Sequence, residues 1–462
     1  MQREISDNFM HTPFNTTSTS APLKIAVIGS GIAGLSSAWL LSKQHQVTLF
    51  EQDARLGGHS NTVDIQTSAG TIAVDTGFIV FNERCYPNLV ALFKHLAIDY
   101  SGTDMSFGVS LDNGRLEYSG SNSIATMFAQ KRNILRPRFW GMLKDLLRFY
   151  KQSADWLETL PADLSLGELL RQENFGPGFC EDHLLPMSAA IWSTPVEKML
   201  AYPAKTFLRF CDNHGLLQVD ERPQWQTVSG GSREYVNRLA SGFNGTLKLS
   251  CGISKVRRFK DHVILVDVHG ESHRFDHVVM AGHADQSLAI IDDPSADESR
   301  LLGAFAYERN EAVLHRDERL MPKRHQVWSS WNYLKDSNQK TDKVSVSYWM
   351  NLLQHLPCQE SILLTLNPLV EARPDQVYRR FNYQHPVFNE EALNVQQHLW
   401  DLQGQQRTWF CGSYFGYGFH EDGIQSGLAV AEQLGNTVRP WIVPNPSGRI
   451  HLRKPPVIDN AA

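Results

Sequence analysis

The chain has 462 residues, of which 42% are hydrophobic and 20% charged, with a formal net charge of -5. Its length exceeds one average domain, and its composition is that of globular enzymes rather than disordered or membrane-spanning chains. The negative balance lacks the basic surplus that nucleic-acid binding requires, so small molecules or lipids are the expected partners.

Residues 1–22 are rich in Thr, Ser and Asn and lack a basic stretch followed by an apolar run, so they read as a disordered tail rather than a signal peptide. No stretch reaches the roughly 18 apolar residues that span a bilayer. The six cysteines, Cys85, Cys180, Cys211, Cys251, Cys358 and Cys411, form no CxxC or Cys/His cluster. Neither a disulfide framework nor a metal site is expected, and a cytoplasmic location is.

The apolar run of residues 24–28 suits a buried parallel strand and leads into Gly29-Ser30-Gly31-Ile32-Ala33-Gly34. Residues 35–43 read as a helix with small residues that allow close packing on a sheet. A second strand, residues 47–50, ends at Glu51 and Gln52, and Glu51 stands twenty residues beyond Gly31. Strand, glycine turn, helix, strand and acid make a complete dinucleotide site, the expectation being an α/β chain with a Rossmann-type fold. In it Gly29 makes the tight turn, Gly31 admits the pyrophosphate, Ile32 and Ala33 open the helix, Gly34 packs helix on strand, and Glu51 accepts the ribose hydroxyls. Glu51 suits FAD and NAD equally.

Arg55-Leu56-Gly57-Gly58-His59 resembles the second pyrophosphate and ribityl loop of the flavin amine oxidase superfamily, which implies FAD. The run Ile72-Ala73-Val74-Asp75-Thr76-Gly77-Phe78 resembles that superfamily's next strand and turn, and so brings Gly77 near the flavin.

Residues 113–224 carry helical patterns, including 143–157, and read as an inserted helical region. Between Lys131 and Lys151 seven basic residues and one acid interleave with Leu, Phe, Trp and Tyr. Such a segment either rests on anionic lipid, making the protein peripheral on the inner membrane face, or is a solvated basic face over a buried apolar one. Residues 225–290 return to β character. By resemblance their strands 246–250, 256–259 and 263–268 belong to the FAD domain, with Ile253 meeting the adenine and Ala281-Gly282 closing a core strand. Residues 300–395 read as an antiparallel sheet, with strands at 344–350 and 361–366, forming a substrate-cavity wall.

The last motif is Phe410-Cys411-Gly412-Ser413-Tyr414-Phe415-Gly416-Tyr417-Gly418-Phe419-His420-Glu421-Asp422-Gly423, followed by Ile424-Gln425-Ser426-Gly427 and a helix over 424–434. It resembles the flavin domain at the N-terminus of plant cyclopropane fatty acid synthases and its standalone bacterial relatives. Residues 189–195, 222–228 and 230–233 share that resemblance, which extends over about residues 23–436. There is no second glycine-rich unit for a methyltransferase half, so cyclopropanation is not implied.

The resemblance implies non-covalent FAD, held also by Gly412, Asp422, Gly423 and Ile424, and a fold of three FAD-domain segments, 23–112, 225–290 and 396–440. A discontinuous α+β substrate domain, 113–224 and 291–395, completes it, with a tail at 441–462. Catalytic candidates are His420, Tyr417 and Glu421. His420 is either a proton-transfer group or a flavin contact, Asp422 either a flavin contact or a helix cap, and Glu421 also a first-turn partner of the helix dipole. The aromatics Tyr414, Phe415, Tyr417 and Phe419 either line an apolar pocket or fill the core.

The implied activity is FAD-dependent dehydrogenation or desaturation of a fatty acyl chain by hydride transfer to flavin N5. The electron acceptor is left open. Rival readings are a flavin-dependent amine or small-molecule oxidase, and a non-redox flavoprotein or isomerase assisting a separate lipid methyltransferase.

Overall fold

The computed structural model describes residues 21–120, 124–161, 163–192, 196–218, 222–338 and 344–452. Nearly all of the expected N-terminal tail, residues 193–195 and residues 453–462 lie outside them.

The strand β1 (Lys24–Ile28) feeds the glycine turn, the helix α1 (Ile32–Leu41) follows, and β2 (Gln46–Phe50) returns beside β1. These lie at the heart of a five-stranded parallel sheet in the order Thr246–Lys248, β2, β1, His277–Met280, Thr408–Phe410. All ten residues of α1 are buried, so it has no solvent face. One side lies on the sheet and the other against the C-terminal helix His420–Gly435. Glycines make that approach possible: a Cβ at Gly427 would stand 2.2 Å from the Ala33 carbonyl oxygen, and one at Gly423 2.9 Å from Ile32. The two helices thus bring their N-termini to the same end of the sheet, where dinucleotides bind in this architecture.

The second layer is a seven-stranded sheet in the order Val377–Val387, Ala306–His315, Leu363–Leu366, Ser345–Trp349, Trp331–Lys335, Phe107–Leu111, Leu116–Ser119. The expected wall strands at 344–350 and 361–366 are therefore present, with shorter bounds. Phe107–Leu111 departs from the boundary drawn at residue 112, because it joins this wall, pairing in parallel with Trp331–Lys335. Gly108 permits it, since a Cβ there would stand 2.7 Å from the Val327 carbonyl oxygen and 2.9 Å from Asn332 Oδ1. Leu116–Ser119 likewise puts a strand into the region expected to be helical. The rest of that region is helical, its longest element being Pro137–Thr159, which buries Phe139, Met142, Phe149, Ser153 and Trp156.

The C-terminal helix starts at His420 rather than at residue 424. The expected tail from residue 441 is anchored at points, with Ile442 and much of the rest exposed. Trp441 stacks on Trp39 at 6.1 Å, and the Arg449 side chain is 12% exposed.

Candidate functional site

The glycine turn begins where the Gly29 amide donates to the Phe50 carbonyl at 2.8 Å, with φ +101°. A Cβ at Gly34 would stand 1.9 Å from the Gly29 oxygen, so only glycine lets α1 close on the turn. Gly31 is different: a Cβ there would meet nothing within 4 Å, and as N-cap it gives α1 no side-chain acceptor. Open space in front of the uncapped first-turn amides of Ile32, Ala33 and Gly34 is what a pyrophosphate requires.

Glu51, 8% exposed, lies beside this turn. Its Oε2 accepts from the Ser30 amide at 2.9 Å and the Ser30 hydroxyl at 2.5 Å, and Oε1 accepts from the Asp53 amide at 2.9 Å. The Cys251 amide donates to the Glu51 carbonyl, bringing residues 251–253 along the same edge, with Gln52 exposed beside Gly252 and Ile253 buried.

The loop Arg55 to His59 closes over the turn. Gly57 donates its amide to the Ser30 carbonyl at 3.1 Å, a Cβ at Gly58 would stand 3.1 Å from Gly31 Cα, and one at Gly77 2.1 Å from the His59 carbonyl oxygen. Gly58 thus packs on the Gly31 backbone and Gly77 on the His59 backbone, which holds the loop against the turn while the space in front of Gly31 stays open. Arg55 donates to the Gly58 carbonyl at 2.8 Å and to the Leu56 carbonyl at 3.3 Å. Ala281 donates its amide to the Ile28 carbonyl, and a Cβ at Gly29 would lie 3.0 Å from the Ala281 oxygen. On the far side Gly412 receives its hydrogen-bond partner from the C-terminal helix, the Ser426 hydroxyl, at 3.0 Å.

His420 opens the C-terminal helix facing this loop. Its Nε2 lies 2.9 Å from Ser60 Oγ and 2.8 Å from the Tyr235 hydroxyl, and its ring stacks on Phe78 at 3.8 Å. Desolvation by these neighbours lowers the imidazole to about 3, so it is neutral at physiological pH. Neutral His420 can donate or accept a hydrogen bond, but it does not carry charge into the site.

The structure gives Glu421 a different task from the catalytic one expected. It is fully buried and faces α2 (Pro87–His95). Its Oε1 accepts from the Asn88 amide at 3.0 Å and Asn88 Nδ2 at 2.8 Å, and Oε2 from the Leu89 amide at 3.1 Å. It therefore caps α2 from another element, because Tyr86, the N-cap residue, supplies no side-chain acceptor. Asp422 is the third helical residue, not a cap preceding the helix, and its Oδ2 reaches back to accept from the Phe419 amide at 2.7 Å. Its Oδ1 lies 3.4 Å from Arg449 Nη1. Burial raises both carboxyls above their usual range, while Arg449 pulls both down.

The aromatics divide. Tyr414 and Phe415 are each 1% exposed and fill the core against Phe305 and Trp400. Tyr417 and Phe419 are half-buried and turn toward Phe210, at 6.0 and 5.1 Å. Tyr417 thus faces the helical insertion, with no hydrogen bond to His420 among the described residues. Cys411 is fully buried, and burial raises its thiol far above the range in which it would react.

Sequence reasoning missed Tyr235 and Ser60, which hold His420, and two further histidines, His283 and His385, which gather around His59. Tyr235 follows the glycine turn of residues 230–233 by two positions, a local signal. His385 lies mid-strand in the wall and carries none.

A family model described as flavin containing amine oxidoreductase matches residues 32–435. The putative protoporphyrinogen oxidase of Exiguobacterium sp. 255-15 superposes with a TM-score of 0.65 at 15% identity, over 90% of this chain and 99% of that one. A conjugated-linoleic-acid-producing fatty acid isomerase of P. acnes gives 0.63 at 13% identity, over 90% and 98%. The L-amino-acid oxidase of Pseudechis australis is 51% identical over 45 residues, a stretch that spans 10% of this chain and only 9% of that enzyme.

Proposed function

The chain belongs to the flavin-containing amine oxidoreductase family, an FAD-dependent oxidoreductase, and from that premise we propose that its substrate is an uncharged aliphatic chain, the acyl group of a phospholipid. The observation that carries this reading is the absence of an uncommitted buried carboxylate near His420 among the described residues. Glu421 is held by Asn88 and Leu89, and Asp422 by Phe419 and Arg449. Asp75 is held by Ser232, Thr62 and Gln354, and burial pushes it up to about 6. The remaining wall, Phe78, Tyr235, Tyr383 and neutral imidazoles, offers a cationic amine no counter-ion. The P. acnes isomerase, which shares the fold, supports the view that this architecture accommodates acyl chains.

Bound FAD supplies a two-electron acceptor, and the glycine turn, Glu51 and the loop Arg55 to His59 are the residues that hold it. The chain itself orients and shields. The paired N-termini of α1 and the C-terminal helix favour negative charge at their common end. Tyr235 and Ser60 fix the His420 ring, and Phe78 excludes water from one of its faces. Cys411, enclosed and protonated, supports non-covalent retention of the cofactor. Oxygen, a quinone or a protein carrier would reoxidise the enzyme.

Access to a bilayer lipid fits the segment 131–151. Ile134 is 50% exposed, Leu135 86%, Trp140 50% and Leu147 58%, an apolar ridge flanked by exposed Lys131, Lys144 and Lys151. Those three lysines have no ion pair among the described residues. The arginines are committed elsewhere: Arg136 to the Arg115 carbonyl, Arg138 to Glu181 and Asp182, Arg148 to Asp145. No helix among the described residues is long and apolar enough to cross a membrane.

The test is anaerobic mixing of purified protein with phospholipid vesicles and, in parallel, with a panel of primary and secondary amines. Flavin bleaching by the vesicles alone is expected. Bleaching by amines alone would replace this reading with amine oxidation. An acyl chain altered without bleaching would replace it with isomerisation.

A further inference from the structure

Two histidines lie beside the glycine turn, each following a glycine that packs on it. His59 follows Gly58, whose Cβ position lies 3.1 Å from Gly31 Cα, and His283 follows Gly282, whose amide nitrogen lies 3.3 Å from the Cβ position at Gly29. Their rings stand 6.3 Å apart, and His385, from the wall strand Val377–Val387, completes the group at 5.5 Å from His59. His385 Nδ1 lies 3.0 Å from Asn310 Nδ2. His59 Nε2 and His283 Nδ1, by contrast, are enclosed without a hydrogen-bond partner among the described residues. Enclosed polar atoms are costly to leave unpaired, and a ligand with acceptor oxygens at this point removes that cost.

The surroundings keep the group uncharged in the free protein. Burial, then His385, His283, His420 and Arg55, hold His59 well below 6.5, burial lowers His283, and burial together with His283 holds His385 at about 4. The other facing groups are few. Tyr307 stacks on His283 at 4.3 Å, Tyr383 packs on His59 at 5.2 Å, and Asp285, then a hydrogen bond to the Gln384 side chain, pull His283 upward. Asp75 stands behind Tyr383, and Glu51 is occupied by Ser30 and Asp53.

We propose that His59 and His283 form a second wall of the FAD diphosphate site, opposite the α1 amides, and that binding the diphosphate transfers one proton from solvent to this pair. The proposal rests on FAD as the cofactor and is independent of the substrate. A diphosphate brings negative charge beside imidazoles whose one facing carboxylate among the described residues is Asp285, next to His283. An opposite charge within about 4–6 Å raises a histidine's pKa and turns a neutral contact into a charge-assisted hydrogen bond. The sign of the linkage follows. Between the low pKa of the free pair and the raised pKa of the bound pair, the complex holds one more proton than the free protein. Affinity in that window therefore falls as pH rises.

Full-length apoprotein is titrated calorimetrically with FAD, with ADP and with riboflavin, in phosphate and in Tris, from about pH 6 to about pH 9. Binding heats should differ between the buffers by about one proton per FAD near neutrality, and the FAD Kd should rise about tenfold per pH unit across that same window. ADP should show the same uptake, riboflavin none. The H59Q/H283Q double variant should bind FAD without proton uptake and with a flat pH profile, and circular dichroism verifies its fold. If the double variant does not fold, His283→Asn alone must lower the uptake. Buffer-independent heats in the wild type, or undiminished uptake in either variant, overturn the proposal. Failure of the wild type to bind FAD at any pH would remove the cofactor assignment itself.

Discussion

Replacing Glu421 by Ala separates a structural acid from a catalytic one. The substitution withdraws the acceptor from two backbone amides in the first turn of α2, Asn88 at 3.0 Å and Leu89 at 3.1 Å, and from the side chain of Gln425 at 2.9 Å. Asn88 Nδ2 keeps the Pro446 carbonyl at 2.9 Å, so it is not orphaned. A buried donor left unpaired costs roughly 1–3 kcal/mol, and water reaches this fully enclosed position poorly, so the loss is about 3–5 kcal/mol. The measurement is thermal unfolding together with hydrogen exchange at the α2 amides. E421A should lower the midpoint and speed exchange at residues 88 and 89, while the folded fraction keeps its flavin and its turnover. A variant with unchanged stability and exchange but abolished turnover would refute this and return Glu421 to the catalytic role first inferred from sequence.

Three other outcomes follow from the same geometry. Gly427→Ala drives a methyl group to 2.2 Å from the Ala33 carbonyl oxygen, which is helix backbone, so α1 and the C-terminal helix must part. The purified variant should carry much less FAD per chain than wild type, and equal flavin content would show that the helix contact does not shape the cradle. Acidification should destabilise the protein from about pH 6.5 downward. Burial lowers His183 to about 4, His214 to about 3 and His315 to about 4, so each binds its proton more readily when unfolded. Their stabilising contribution is present above 6.5 and lost as pH falls toward those values, at about 1.4 kcal/mol per pH unit for each fully enclosed ring. Melting temperatures that stay level between about pH 7 and about pH 5 would contradict this. Charge reversal at Lys131, Lys144 and Lys151 should weaken binding to anionic vesicles on the order of a hundredfold, with flavin content unchanged. Equal binding by wild type and variant would show that this ridge does not dock on lipid.

The parts of the molecule legible in sequence are those whose physics is local. β1, the glycine turn, α1 and β2 follow one another within thirty residues, and each residue type is dictated by its immediate neighbours. What escaped depends on pairings made at long range. The placement of Phe107–Leu111 in the wall is decided by Trp331–Lys335, more than two hundred residues away, and only Gly108 hints that a neighbour comes close. Glu421 looked catalytic because it sits in the most distinctive motif, but its partners are on α2, more than three hundred residues earlier in the chain. The histidines around His59 come from a loop, a strand end and a wall strand, and no spacing rule connects them. Asp422 could be read either way, and it serves as a cap from inside the helix, a geometry set by where the helix begins.

The most direct test of the account is a single-turnover experiment under anaerobic conditions, with enzyme in excess over a defined phospholipid and the acyl chains analysed by mass spectrometry. Each flavin reduced should be matched by one acyl chain that has lost two hydrogens. Flavin that stays oxidised while the lipid is recovered unchanged, with reduction seen only on adding an amine, would contradict it.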